Sequence, residues 1–158
     1  MPDTTNDASN AWARTLESAT EMAEQLRADG WEVVTVRAGH VAPEDPEHGD
    51  TDRFGFVYLA QGEVADDFRA AIADGEFDGY EAFSRRDGSD LFVLTRMTDA
   101  DRRTAVLLVG SVNLAHAGDL AAAARERGEM YSHVVLLDGT HLGAFRHDDP
   151  DAFLPEDV

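Results

Sequence analysis

Cysteine and lysine are both missing from the 158 residues. Without cysteine there is no disulfide, no thiolate nucleophile, and no cysteine-ligated zinc or iron–sulfur cluster. Without lysine there is no Walker A loop, no Schiff base and no kinase-type lysine. Long hydrophobic runs are missing too. The most apolar stretch, residues 105–117, is interrupted by Gly110, Ser111, Asn113 and His116. It is too short and too polar to cross a bilayer, which takes about 20 apolar residues. The opening MPDTTNDASN has neither a basic cluster nor an apolar run, so no secretory signal is expected and the expected location is the cytoplasm.

What the chain does have is negative charge. All 13 basic residues are arginine, against 32 acids, of which 20 are aspartate, and the net charge is -19. Dense like charge repels itself and weakens a compact state at low salt. At about 1 M salt the Debye length is only about 3 Å, and that repulsion is largely screened. Abundant aspartate with no lysine therefore points to a halophile's protein. The charge also argues against nucleic acid and anionic membranes as partners.

The length suits one domain with a real core. Residues 1–7 are polar and are expected to be flexible, 8–155 to form the domain, and 156–158 to be a tail. Trp12, Leu16, Ala19, Ala23 and Leu26 recur at helical spacing, and Gly30 fits the stop. WEVVTVRA reads as a strand. Residues 39–52, with two prolines and two glycines, read as a loop. RFGFVYLA is a second strand, and 63–74 a second helix ending at Gly75. FDGYEAFSRR and LFVLTRMT flank DGSD and predict a hairpin. RTAVLLVGSV is the most apolar strand and should be central, buried on both faces. A third helix ends at Gly128, and two strands close the domain. The predicted class is α+β: one domain, a mostly antiparallel sheet with helices packed on it, in the order α-β-β-α-β-β-β-α-β-β.

The last two strands lie in YSHVVLLDGTHLGAFRHDD, residues 131–149, with His133, His141 and His147. Asp138-Gly139 is a strong turn signal. A two-residue loop sets His133 opposite Ala144 and separates it from His141. A three-residue loop with a glycine bulge puts all three histidines on one face. Even then His141 and His147 stand about 20 Å apart along a regular strand, and only His133 with His141 are diagonal neighbours. No metal site and no cofactor are expected, and His133 is expected to be partly buried and hydrogen-bonded. Ser132 and His133 point to opposite faces and cannot pair as nucleophile and base. G-x-S-x-G, H-E-x-x-H and G-x-G-x-x-G do not occur. The acidic loop with Glu44, Asp45, Glu47, His48, Asp50 and Asp52 lacks EF-hand spacing. Arg85, Arg86, Arg102 and Arg103 flank two turns and are expected to pair with nearby aspartates.

The helix running into Gly30-Trp31, the Tyr80-Glu81 strand, GEMYSH from Gly128 and HDDPDAFLP from His147 carry a resemblance. With these marks the chain resembles a family of small uncharacterised proteins of halophilic archaea, over residues 11–155. The resemblance supports the halophile reading and implies no catalytic residues. Two functions follow as expectations. The first is a non-enzymatic binding or assembly domain, with a protein partner or self-association. The second is a small enzyme or ligand-binding domain, with Tyr131, His133 and His141 as its candidate ligand-binding residues. A closed pocket around those residues would favour the second, and an exposed apolar face the first.

Overall fold

The apolar stripe of the first segment builds α1 (Thr4–Ala28) and lays it against a sheet. The computed structural model describes residues 4–46 and 54–158, with side chains from Asn10 onward. Ala19 and Ala23 of α1 are buried against Leu94, Leu107 and Val109 of the sheet, and Trp12, Leu16 and Leu26 flank them. Small alanines on the contact line let the helix approach closely. The remaining elements are β1 (Glu32–Glu44), β2 (Gly55–Leu59), α2 (Ala65–Ile72), β3 (Gly79–Asp87), β4 (Asp90–Asp99), β5 (Thr104–Asn113), α3 (Gly118–Arg127), β6 (Met130–Val135) and β7 (His141–His147). Short 3-10 turns at Gly62–Val64, Leu114–His116 and Pro150–Ala152 are added to the expected order. Periodicity does not reveal such turns, because a single turn is too short to show a repeat.

The seven strands among the described residues form one sheet in the order β3-β4-β5-β1-β2-β6-β7. The expectation of a mostly antiparallel sheet needs correction: the sheet is mixed. β1 runs parallel to β5, and β2 parallel to β6. Short turns report only hairpin partners, here β3–β4, β4–β5 and β6–β7. The two parallel pairs join strands far apart in sequence, with helices between them, as parallel crossovers require.

A second correction concerns residues 39–44, read as loop and found in β1. The strand passes through a bulge at Gly39, whose φ of +65° suits a residue without a Cβ. Beyond it Val41 is fully buried and pairs with both Val112 and Tyr58. One long bent strand thus joins the two halves of the sheet. β5 matches its expected central place, with residues 105–109 all 0% exposed.

The sheet curls into a half-barrel whose inner face holds the main core. Phe54, Phe56, Tyr58, Val106, Leu108 and Met130 meet Phe68 of α2, Leu120 of α3 and Phe153 of the C-terminal segment there. Aromatic contacts close the seam between the edge strands. Tyr80 of β3 lies 4.7 Å from His147 of β7, and Phe77 lies 5.6 Å from Phe145, by ring centroids. Arg125 ties the C-terminus to α3 through Asp151 at 3.2 Å, Pro155 O at 2.7 Å and Val158 O.

Candidate functional site

The β6–β7 hairpin combines both registers that the sequence allows. In its body Ser132 faces Phe145 and His133 faces Ala144, as a two-residue loop demands. Nearer the turn the pairing shifts so that Val135 faces His141, leaving Leu142 as an extra residue in β7. Leu136 N–H donates to Thr140 O at 2.8 Å, and Gly139, at φ +90°, donates back to Leu136 O at 2.9 Å. Asp138 Oδ1 accepts from Thr140 N at 2.9 Å, and Thr140 holds its carboxyl below the usual carboxylate range. The bulge decides which histidines meet. His141 moves onto the face of His133, and His147 stays on the other.

On the outer face His133 Nδ1 and His141 Nε2 stand 3.1 Å apart. The Tyr131 ring lies 5.8 Å from that of His133. His133 is buried at 3% exposure, Tyr131 is half-buried and His141 is exposed. The expected candidates are therefore neighbours, and His133 is buried and in contact with a polar partner. They lie along an outer strand face. A hollow of about 500 Å³ lies elsewhere, between α1, β1 and the turn before α2, lined by Arg27, Arg37, Glu24, Glu63 and Asp67 among others.

On the inner face the structure makes a pair that sequence reasoning missed. Ser132 Oγ and His147 Nε2 lie 2.8 Å apart, and both residues are 0% exposed. A serine and histidine at hydrogen-bond distance invite a nucleophile–base reading. The surroundings oppose it. His147 Nδ1 is buried with no hydrogen-bond partner, so no carboxylate orients the ring. Which group donates follows the tautomer: a proton on Nδ1 leaves a buried N–H without a partner, and a proton on Nε2 makes Ser132 Oγ the acceptor. Nothing in the corner holds the ring as a base aimed at the serine. The ring is enclosed by Tyr80 and by Phe153, 4.4 Å away. Burial brings the His147 pKa down to about 4, against a smaller opposing pull from Asp148.

Tyr80 fastens the same corner. Its hydroxyl donates to Asp148 Oδ1 at 2.8 Å and accepts from Asp149 N at 3.1 Å. Burial and then the Asp148 carboxylate push its pKa up to about 12. Deeper in, the Tyr58 and Thr95 hydroxyls are buried without a well-formed hydrogen bond. Burial pushes the Tyr58 phenol far above its ordinary range, and Thr95 pulls only weakly the other way.

Of the arginines singled out from the sequence, Arg86 pairs with Asp157 at 2.7 Å and Arg102 lies 3.7 Å from Asp99. Arg102 also donates to Ala71 O at 2.9 Å. Glu44 and Asp45 of the acidic loop are described; Glu47, His48, Asp50 and Asp52 lie outside the described residues. Among the described residues no group of three or more acidic or histidine side chains gathers to hold a metal ion. Nor is any helix among them long and apolar enough to cross a membrane.

A single curled mixed sheet, one helix on its outer face and two on its inner face, defines an α+β protein with a buried polar corner and an outer histidine pair. The chain belongs to a family of unknown function, DUF7529, whose profile matches residues 1–155. No curated protein and no solved structure matches it.

Proposed function

We propose that the chain is a non-enzymatic assembly domain of a halophilic archaeon's cytoplasm, and that it associates with a second copy of itself through the outer face of β2, β6 and β7. One observation carries the reading. None of the residues in β2, β6 and β7 is acidic, in a chain where 32 of 158 are. α1 lies over β1, β3, β4 and β5, so this face extends beyond it. The face includes Leu59 at 40% exposure, and the hairpin tip adds Leu137 at 86%. A basic partner would be drawn to the acidic surface. The one arginine of these strands, Arg146, is already paired with Glu129 at 2.6 Å, so the face suits a like face, and the chain itself supplies one, as in two-fold symmetric dimers. Lysine-free acidity supports the halophilic setting, and the lack of long apolar runs supports the cytoplasm.

Sedimentation across a concentration range in about 2 M KCl, where charge repulsion is screened, tests the proposal. The parent should form a dimer. Leu59→Glu and Leu137→Glu should each weaken it at least tenfold, about 1.4 kcal/mol, while keeping the monomer folded. A parent that stays monomeric at every concentration overturns the reading. The second reading, a small-ligand or enzyme site at Tyr131, His133 and His141, is supported by the contact between the two imidazoles.

A further inference from the structure

We infer that His133 and His141 form a two-imidazole binding site for a first-row transition-metal ion of the zinc, nickel or copper class. The inference does not rest on assembly, because one copy supplies both side chains.

Ligand nitrogens lie about 2.0–2.1 Å from a zinc ion, so two of them at a tetrahedral angle stand about 3.3 Å apart. His133 Nδ1 and His141 Nε2 are 3.1 Å apart already. The hairpin bulge creates this approach by bringing His141 onto the face of His133, diagonal across the ladder. The rings are steeply inclined, 65° between planes with centroids 5.4 Å apart. They are not stacked, so an in-plane lone pair of each can turn toward a common point.

The two residues differ in exposure, and the difference suits binding. His133 is buried and packed beside Tyr131, which holds one ligand in place. His141 is exposed, so an ion in solvent can reach it. In the metal-free pair one proton lies between the two nitrogens. For both nitrogens to coordinate, that proton must leave the position between them, so metal binding competes with the hydrogen bond and releases a proton. Imidazole suits zinc, nickel and copper better than calcium or magnesium, which favour oxygen ligands. The net charge of -19 raises the local concentration of any cation. Water fills the remaining coordination positions.

Calorimetric titration with Ni²⁺ at pH 7.5 in 2 M KCl, with nitrogen-15 shifts of the imidazoles read alongside, tests the site. One ion per chain should bind, and the His133 Nδ1 and His141 Nε2 resonances should be the ones broadened or shifted. His141→Gln, an exposed change, should lower the affinity at least tenfold, and His133→Gln should do the same. His116→Gln, at another exposed histidine, should leave it unchanged. If the parent and His141→Gln bind nickel alike, carboxylates elsewhere hold the ion and the inference falls. No binding by the folded parent overturns it equally. Sedimentation with and without nickel reads the oligomeric state separately, so a monomer that binds nickel would sink the assembly reading alone.

Discussion

His147 shows how one buried side chain sets a pH limit on the fold. It is neutral in the folded protein, with a pKa near 4, and ordinary near 6.5 when unfolded. Above pH 6.5 the ring is uncharged in both states, and its burial contributes fully. As pH falls from 6.5 toward 4 the unfolded chain takes up a proton that the folded chain refuses, so stability drops. The slope approaches 1.4 kcal/mol per pH unit, for a total of roughly 3 kcal/mol. Urea melts of the parent in high salt should show this loss between pH 7 and 5.5, before carboxylates begin to protonate. His147→Gln keeps a polar atom at the reach of Nε2 for Ser132 but cannot titrate. It should be less stable at pH 7, by about 1–2 kcal/mol for lost contact with Tyr80 and Phe153, and its stability should fall less steeply than the parent's across that window. Equal pH slopes in parent and variant would show that His147 is solvated and that the aromatic seal around it is wrong.

At the scale of elements, position in the sheet matters more than residue type. Leu107 of β5 is fully buried between α1 and the strands beside it, and Phe83 of the edge strand β3 is 41% exposed. Leu107→Asp removes core packing and strands a carboxylate, so it should cost at least about 4 kcal/mol. Phe83→Asp should cost less than about 1.5 kcal/mol. Thermal melts of both variants check the ranking, and comparable losses would remove β5 from the centre. That strand was legible because residues 105–109 carry no charge at all. The helix stripes and the β3–β4 hairpin were legible because their periods and turn residues are local. The stretch from Gly39 to Glu44 was not, because its glycine and proline resemble a loop until Val112 and Tyr58 are available as partners. The parallel pairs were hidden for a related reason: no short turn announces them. The candidate site was half legible. Asp138-Gly139 located the hairpin and limited the histidines to one possible pair. The bulge that brings His133 and His141 together depends on backbone geometry, since one residue's shift moves a side chain to the other face. Ser132–His147 could have been found from the two-residue register, which sets them diagonally on one face. Nothing in the sequence marks that diagonal, because either register is open at Asp138-Gly139.

For the whole molecule the deciding quantity is the spacing of charge. The 19 net negative charges spread over 8597 Å² of surface, about 450 Å² each, with roughly 21 Å between neighbours. At 0.01 M salt the Debye length is about 30 Å and neighbours repel; at 0.1 M it is about 10 Å and most of that repulsion is gone. Ion pairs pull the other way. Arg86–Asp157, Arg96–Glu81, Arg125–Asp151 and Arg146–Glu129 weaken as salt rises. Exposed pairs of this kind contribute at most about 1 kcal/mol each, and 13 arginines cannot balance 32 acids. Repulsion should therefore win, and the melting temperature should climb steeply from 0.01 to about 0.3 M KCl. Closely spaced carboxylates, such as Asp66 beside Asp67 and Asp148 beside Asp149, remain within reach of each other and extend the rise more gently. Above that range, charge screening has little left to give. A further rise toward molar salt has to come from strengthened burial of apolar surface, and it should then be larger in sulfate than in chloride at equal ionic strength. Scanning melts in both salts separate the two causes. A melting temperature that stays level or falls between 0.01 and 0.3 M KCl would mean that the acids do not strain the fold, and the halophilic reading of the composition would fail with it.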